Sequence, residues 1–282
     1  MAQKYQDIEV TTTGGIRWIK WNRPKSLNAF GGQLIPETAQ ALRDADADPN
    51  VVFTVLTGEG RFLSSGADVR QVGSRRTDAP AADAHVQAQK TFQVGGFSTS
   101  LELMRLLVDH KKVLIVAMNG PAVGAGAAWF IGVADLVFAS DSAWLQIPFS
   151  SLGLVPEGGS AVTFAQSLGV RRATEVLMFG TKLDAATMEK WGLVNRVFPT
   201  ANFHAAVGAY LEQQLNDNDP TSLLETKRLV TEPLRESRMQ AAYRSVDALA
   251  EMFAKGIPVS RFVKKAAELA AKSAAKKGGA KI

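Results

Sequence analysis

The chain has 282 residues, 46% of them hydrophobic and 21% charged, enough for one large core or a core plus an appendage. It has no cysteine, which excludes disulfides, thiolate nucleophiles and thiolate metal sites. The net charge of +5 gathers at one end: seven basic residues and one acid lie between Arg261 and Ile282, and the near-neutral remainder lacks the basic face of a nucleic-acid binder.

In chain order, Ile8–Thr12 and Ile16–Trp21 flank Thr13-Gly14-Gly15, a spacing that predicts a β-hairpin. A loop, Asn22 to Asn28, leads to Gln33–Ala47. There Leu34, Ile35, Ala41, Leu42 and Ala45 recur at helical spacing before Pro49. Val51–Thr57 is a β-branched run, hence a buried strand. Gly58 to Asp68 is a loop, and the polar Gln71–Ala84 is expected to form a mobile segment or flap. Val86–Asp109 reads as a helix with an irregularity at Gly95-Gly96, Val113–Met118 as a strand, Gly124–Val133 as a helix and Asp135–Ala139 as a strand. The uncharged run from Val113 to Ala134 is long enough to raise the question of a membrane span. Asn119-Gly120-Pro121 interrupts it, so no span is expected, and the N-terminus shows no apolar signal region.

Ala161–Leu168 reads as a helix with Ser160 as its cap. After Phe198-Pro199 the pattern changes to four helices without strands: Asn202–Leu215, Thr221–Val230, Glu236–Ala254 and Val259–Ala275. The expected organisation is an α/β core over residues 1–200, built of repeated strand–helix units, and a helical region with a basic tail over 201–282.

The chemistry on offer is narrow. His85, His110 and His204 have no partner at metal-ligand spacing and are expected in surface roles. There is no Gly-x-Ser-x-Gly elbow and no phosphate-binding Gly-Lys loop. Trp129 stands where a dinucleotide fingerprint needs Gly or Ala. Two small-residue loops remain, Ser64-Ser65-Gly66-Ala67-Asp68 and Asn119 to Gly126. Such loops let backbone N–H groups approach a ligand atom, or simply let a strand and helix pack tightly. A third stretch, Phe149 to Ser160, is apolar, small or hydroxylic and carries one acid, Glu157, between Pro156 and Gly158-Gly159. An acid in apolar surroundings has a raised pKa and suits a proton shuttle. An acid near a helix start is also an ordinary complement to the helix dipole.

Five stretches, in order, resemble the enoyl-CoA hydratase/isomerase (crotonase) superfamily between Ile16 and Phe198. They are Asn22-Arg23-Pro24-Lys25-Ser26-Leu27-Asn28-Ala29, Phe62 to Asp68, Val116 to Ala122, Ala134-Asp135-Leu136 and Gly192-Leu193-Val194. The resemblance implies a crotonase-type spiral of ββα units, a C-terminal helical trimerisation region and a trimer or dimer of trimers. It also implies an acyl-CoA thioester whose carbonyl is held by the N–H groups of Ala67 and Ala125. The ligand would lie along Lys25, Ser26, Leu27, Ser65, Gly66, Ala67, Asp68, Val69, Gly124 and Ala125. Lys25, Arg61 and the tail lysines are candidates for its phosphates.

The two places that hold glutamates in hydratases carry Ala128 and Phe149, the latter after Pro148. The run ending in Pro156-Glu157-Gly158-Gly159 is instead similar to the peroxisomal Δ3,Δ2-enoyl-CoA isomerase branch of fungi and animals, which uses one glutamate there. That branch implies a single-glutamate shift of a C3–C4 double bond to C2–C3 in fatty acid β-oxidation. Coenzyme A is then part of the substrate, with no separate cofactor and no metal. Leu154, Val155, Phe149 and Trp129 could wall off water, although core packing is the commoner use of such residues. Hydration, movement of a conjugated diene, and CoA-ester binding with little catalysis are the alternatives. Ala280-Lys281-Ile282 resembles a variant peroxisomal address read by an import receptor, so a peroxisomal location is expected.

Overall fold

The computed structural model describes residues 5–67 and 97–278. Asp68, Val69, the 71–84 segment, His85, the first part of the helix expected over Val86–Asp109, and Ala280-Lys281-Ile282 lie outside the described residues.

Strands β1 (Ile8–Thr13) and β2 (Ile16–Trp21) form the expected hairpin, closed by the pair Thr13 and Ile16. The two-residue turn has Gly14 at φ 55° and Gly15 at φ 86°, the left-handed geometry that matches the twist of the flanking strands. From β2 the sheet continues in parallel through β3 (Phe53–Gly58), β4 (Val113–Met118), β6 (Leu136–Ser140) and β9 (Arg196–Phe198). A smaller sheet pairs β5 (Ala122–Val123) with β7 (Trp144–Gln146) in parallel, and β7 with β8 (Leu183–Asp184) antiparallel.

Every residue of β3 and β4 is buried, which is why both read as continuous apolar runs rather than alternating ones. The strand period still sorts their side chains between two cores. Leu56, Leu114, Val116 and Met118 face the larger core with Trp21, Phe130 and Phe164. That core also takes α1 (Leu34–Ala47) through Leu34 and Leu42, and α2 (Phe97–Val108) through Leu103 and Leu107. Phe53, Val55, Val113 and Ile115 face the other side, where Phe203, Val207 and Leu211 of α7 (Phe203–Asp217) cover them.

After α7 come α8 (Pro220–Thr231), α9 (Arg235–Ala254) and α10 (Ile257–Gly278), with no strand between them. Asp219 caps α8 by accepting from Ser222 N at 2.8 Å, with Pro220 at the first helical position. Among the described residues no helix is long and apolar enough to cross a membrane. The Val113–Ala134 run is divided between β4, β5 and the short helix α3 (Ala125–Ala128).

Three expectations need correction. The helix expected over Gly124–Val133 is regular only through α3 and continues as turns. Gly132 weakens a helix, and it packs so closely on Thr163 and Phe164 that a Cβ there would collide with both. Ser160 does not cap α4 (Ser160–Leu168). The cap is Gly159 at φ 72°, and the Ser160 hydroxyl, one residue inside, is buried without a partner. His110 is not a surface residue. It is 2% exposed, with Nε2 2.9 Å from Thr54 Oγ1 and Nδ1 2.9 Å from Asp46. Burial lowers its pKa, against the opposing pull of Asp46. His204 is part-buried too, with Nε2 3.0 Å from Thr57 Oγ1 and its ring edge-on to Trp18.

The helical region is tied to the sheet by one buried ion pair, Lys227 of α8 to Asp135 at 2.8 Å, with side chains 8% and 13% exposed. Asp135 also accepts from Leu114 N at 2.7 Å, which places the pair at the start of β4 and β6. Removing one partner of a buried pair strands the other charge. Lys227→Ala is expected to cost roughly 3 kcal/mol, read as a lower urea midpoint with little change in slope.

Candidate active site

The first small-residue loop is held by a buried asparagine. Asn28 sits at φ 53° and is fully buried. Its Oδ1 accepts from Arg23 N at 2.9 Å, and its Nδ2 donates to Glu59 O at 3.0 Å and Phe62 O at 2.8 Å. The short Pro24–Ser26 turn is thereby fixed against the loop after β3. Ser65 N donates to Leu27 O at 2.9 Å, so Lys25, Ser26 and Leu27 lie alongside Ser65, Gly66 and Ala67. Lys25 is exposed. Arg61 lays its guanidinium over the Phe62 ring at 5.5 Å.

Ser64 joins this loop to the second one. Its hydroxyl donates to Asn28 O at 2.8 Å and accepts from Gly66 N at 3.1 Å, and its carbonyl accepts from Val123 N at 2.9 Å. The backbones approach so closely that a Cβ on Gly66 would lie 2.6 Å from Val123 O, and one on Gly126 2.6 Å from the Ser64 side chain. Gly66 thus stands beside the Ala125 amide, 3.3 Å from where such a Cβ would be. Ala125 opens α3, so its N–H has no acceptor within the helix. Neither the Ala67 nor the Ala125 amide donates to a main-chain acceptor among the described residues.

Glu157 sits where a loop meets α4. Two successive left-handed glycines, Gly158 at φ 61° and Gly159 at φ 72°, make the bend. The loop is clasped from outside. Gly153 abuts Ile257 of α10, and Gly159 abuts the α9 backbone at Arg238 and Ala242. Leu154 and Val155 pack on Val246 and Leu249 of α9, as does Leu101 of α2. Phe149 is 3% exposed and belongs to the main core. Of the four residues considered as a water-excluding wall, Phe149 is therefore core, and Leu154 and Val155 join the loop to the C-terminal helices.

Trp129, the fourth, lies beside the acid. Its pyrrole edge covers Gly158 so closely that a Cβ there would be 2.5 Å from Cδ1. Its other neighbour is Phe30, with ring centroids 5.4 Å apart. Phe30 also pairs its backbone with Ala67, donating from N to Gly66 O at 2.8 Å. The chain of contacts from Ala67 through Phe30 and Trp129 to Glu157 links the first loop to the acid. Phe30 follows directly on the Asn28-Ala29 motif, but its type alone gave no functional signal.

The Glu157 carboxyl is ringed by protein although the residue keeps some solvent contact. Loss of hydration pushes its pKa up to about 7, and the nearby Trp129 N–H pulls weakly the other way. Among the described residues, no charged side chain contributes to the shift. Ala128 and Phe149, where the resemblance would place a hydratase's acids, are apolar and buried, at 1% and 3% exposure. No cluster of three or more His, Asp or Glu that could hold a metal occurs among the described residues.

Residues 11–268 match the family described as enoyl-CoA hydratase/isomerase. The chain belongs to that family. It is 35% identical over 232 residues to human enoyl-CoA delta isomerase 2, which covers 82% of this chain and 56% of the relative. It is 36% identical over 213 residues to a mouse protein named enoyl-CoA delta isomerase 3, peroxisomal, covering 75% of this chain and 63% of the relative. The chain thus spans a little over half the length of these relatives. A crystal structure of an enoyl-CoA hydratase/isomerase from Mycobacterium paratuberculosis superposes with a TM-score of 0.77 at 26% identity, covering 92% of this chain and 98% of that one. The fold is that of the crotonase family, a mixed α/β core with C-terminal helices.

The raised pKa sets a stability prediction. Folding favours the protonated form of Glu157, a contribution present in full below the unfolded pKa of 4.5 and lost as pH rises through about 7. Above that the buried charge costs on the order of 3 kcal/mol. Glu157→Gln is therefore expected to melt higher than the parent at about pH 8, the difference vanishing towards about pH 4; thermal melts across that range read it.

Proposed function

We propose that this protein is a Δ3,Δ2-enoyl-CoA isomerase of fatty acid β-oxidation. The observation that carries the reading is one carboxyl, Glu157, brought near neutral pKa by desolvation alone. A base for a C–H proton works best when its pKa lies near the working pH.

The C2 hydrogens of a 3-enoyl thioester are acidic because they lie between C=C and C=O. The Glu157 carboxylate takes one of them. The C–H electron pair moves into the π system, and the charge settles largely on the thioester oxygen of a dienolate. The Ala67 and Ala125 N–H groups, left without main-chain acceptors, would donate to that oxygen, each worth about 2.7–4 kcal/mol. Glu157, now a neutral acid, returns the proton to C4. The double bond then lies at C2–C3 in conjugation, and the carboxylate is regenerated. No atom is gained or lost and no separate cofactor takes part, coenzyme A being part of the substrate.

Hydration needs a second group to hold and activate water. Ala128 and Phe149 offer none and are packed in the core, which favours isomerisation over hydration. The CoA moiety would follow Lys25-Ser26-Leu27 and Ser65 to Val69, beside the paired backbone of Leu27 and Ser65. A trimer or dimer of trimers built through the C-terminal helices, and a peroxisomal location with an import receptor reading Ala280-Lys281-Ile282, belong to the same proposal.

Incubation with a 3-enoyl-CoA and a 2-enoyl-CoA, followed by product analysis, tests it. The 3-enoyl ester should give the 2-enoyl ester without gaining water, and rapid hydration of the 2-enoyl ester would overturn the reading. The kcat/KM profile should rise with pH through about 7 as Glu157 ionises, and Glu157→Gln should lower kcat by at least about a thousandfold.

A further inference from the structure

The indole of Trp129 poses a question that apolar packing does not answer. Its Nε1 is buried and has no hydrogen-bond partner of full donor geometry. A buried donor left unpaired is unfavourable, and a phenylalanine would bring an apolar ring with no such donor. The ring is held from two sides, by the Phe30 ring at 5.4 Å and by Gly158, whose φ of 61° leaves no room for a side chain beneath the pyrrole edge. The neighbouring acceptor is Glu157, the residue before Gly158.

We propose that Trp129 is a positioning residue for the proton shuttle: its Nε1–H donates to one carboxylate oxygen of Glu157 and leaves the other oxygen to carry the proton between C2 and C4. The proposal rests on the isomerase reading above and adds to it which oxygen moves the proton. A carboxylate free to rotate presents either oxygen to either carbon. One pinned by a fixed donor keeps the same oxygen, and so the same face, through both transfers. The hydrogen bond survives protonation, because the pinned oxygen remains an acceptor when the other carries the hydrogen.

Of the charged groups on the elements packed against this loop, Arg244 and Asp247 of α9 and Arg261 and Lys264 of α10 are exposed, and others have partners of their own. Arg238 of α9 turns its guanidinium to Gln166 at 2.9 Å. Glu102 of α2 pairs with Arg43 and Arg105, Glu251 of α9 with Lys255, and Lys265 of α10 with Glu268. Among the described residues, the indole is the side chain that acts on the Glu157 carboxyl through a hydrogen bond.

The test uses the full chain labelled with 15N at its five tryptophans. One indole N–H resonance should move with pH, with the same midpoint as the kcat/KM profile. It should cease to titrate in Glu157→Gln and be missing from Trp129→Phe. Trp18 lies edge-on to His204, and any response it shows to that ring persists in Glu157→Gln. In Trp129→Phe the kcat/KM midpoint should rise by about half a unit to one unit, because a donor to the charged form is gone, and kcat should fall about tenfold. An indole set blind to the Glu157 titration, or an unshifted Trp129→Phe profile, overturns the proposal. The wild-type and Glu157→Gln spectra decide the matter even where Trp129→Phe does not fold. Full turnover by Glu157→Gln would sink the isomerase mechanism itself, whereas an inactive Glu157→Gln with silent indoles would sink the Trp129 role alone.

Discussion

The close approach of two backbones at Ser64 is the constraint on which the site depends. Its hydroxyl satisfies Asn28 O and Gly66 N together, and its carbonyl pairs with Val123 N. A larger side chain at 64, or any Cβ at Gly66 or Gly126, would push the loops apart. The loops leave β3 and β4, adjacent parallel strands whose carboxyl ends lie together, so the sheet brings them near and the small residues let them touch. Two amides without main-chain acceptors among the described residues follow from that geometry rather than from any special residue.

The acid is prepared by a different means. Among the described residues nothing charged acts on Glu157, and its raised pKa comes from exclusion of water. That exclusion is supplied by elements far apart in the chain: Trp129 at Gly158, α9 against Leu154, Val155 and Gly159, and α10 against Gly153. The cost of an ionised carboxylate in such a place is borne by the packing of the rest of the fold, a familiar exchange of stability for reactivity.

Much of this was legible in the residues. The hairpin, the buried strands Val113–Met118 and Phe53–Gly58, and the four C-terminal helices follow from period, turn chemistry and caps. Glu157 stood out because it is the one acid among apolar and small neighbours. What pattern could not reveal depends on contacts across the fold. Gly124–Val133 has helical composition, yet Gly132 is committed to Thr163 and Phe164. Ser160 looks like a cap, yet the left-handed Gly159 takes that place. His110 carries no local mark of burial, because Thr54 and Asp46, its partners, lie more than fifty residues away. The orphan N–H of Trp129 is likewise invisible in a string where tryptophan reads as bulk.

The clasp of α9 and α10 around the 153–159 loop has a consequence for the life of the molecule. Both helices are synthesised after the sheet and its loops, so a nascent chain that lacks them would leave the acid facing bulk water. Its carboxyl would then ionise as readily as any surface glutamate and serve poorly as a base for a carbon acid. The setting that raises the Glu157 pKa is therefore complete only once both helices have docked on the loop.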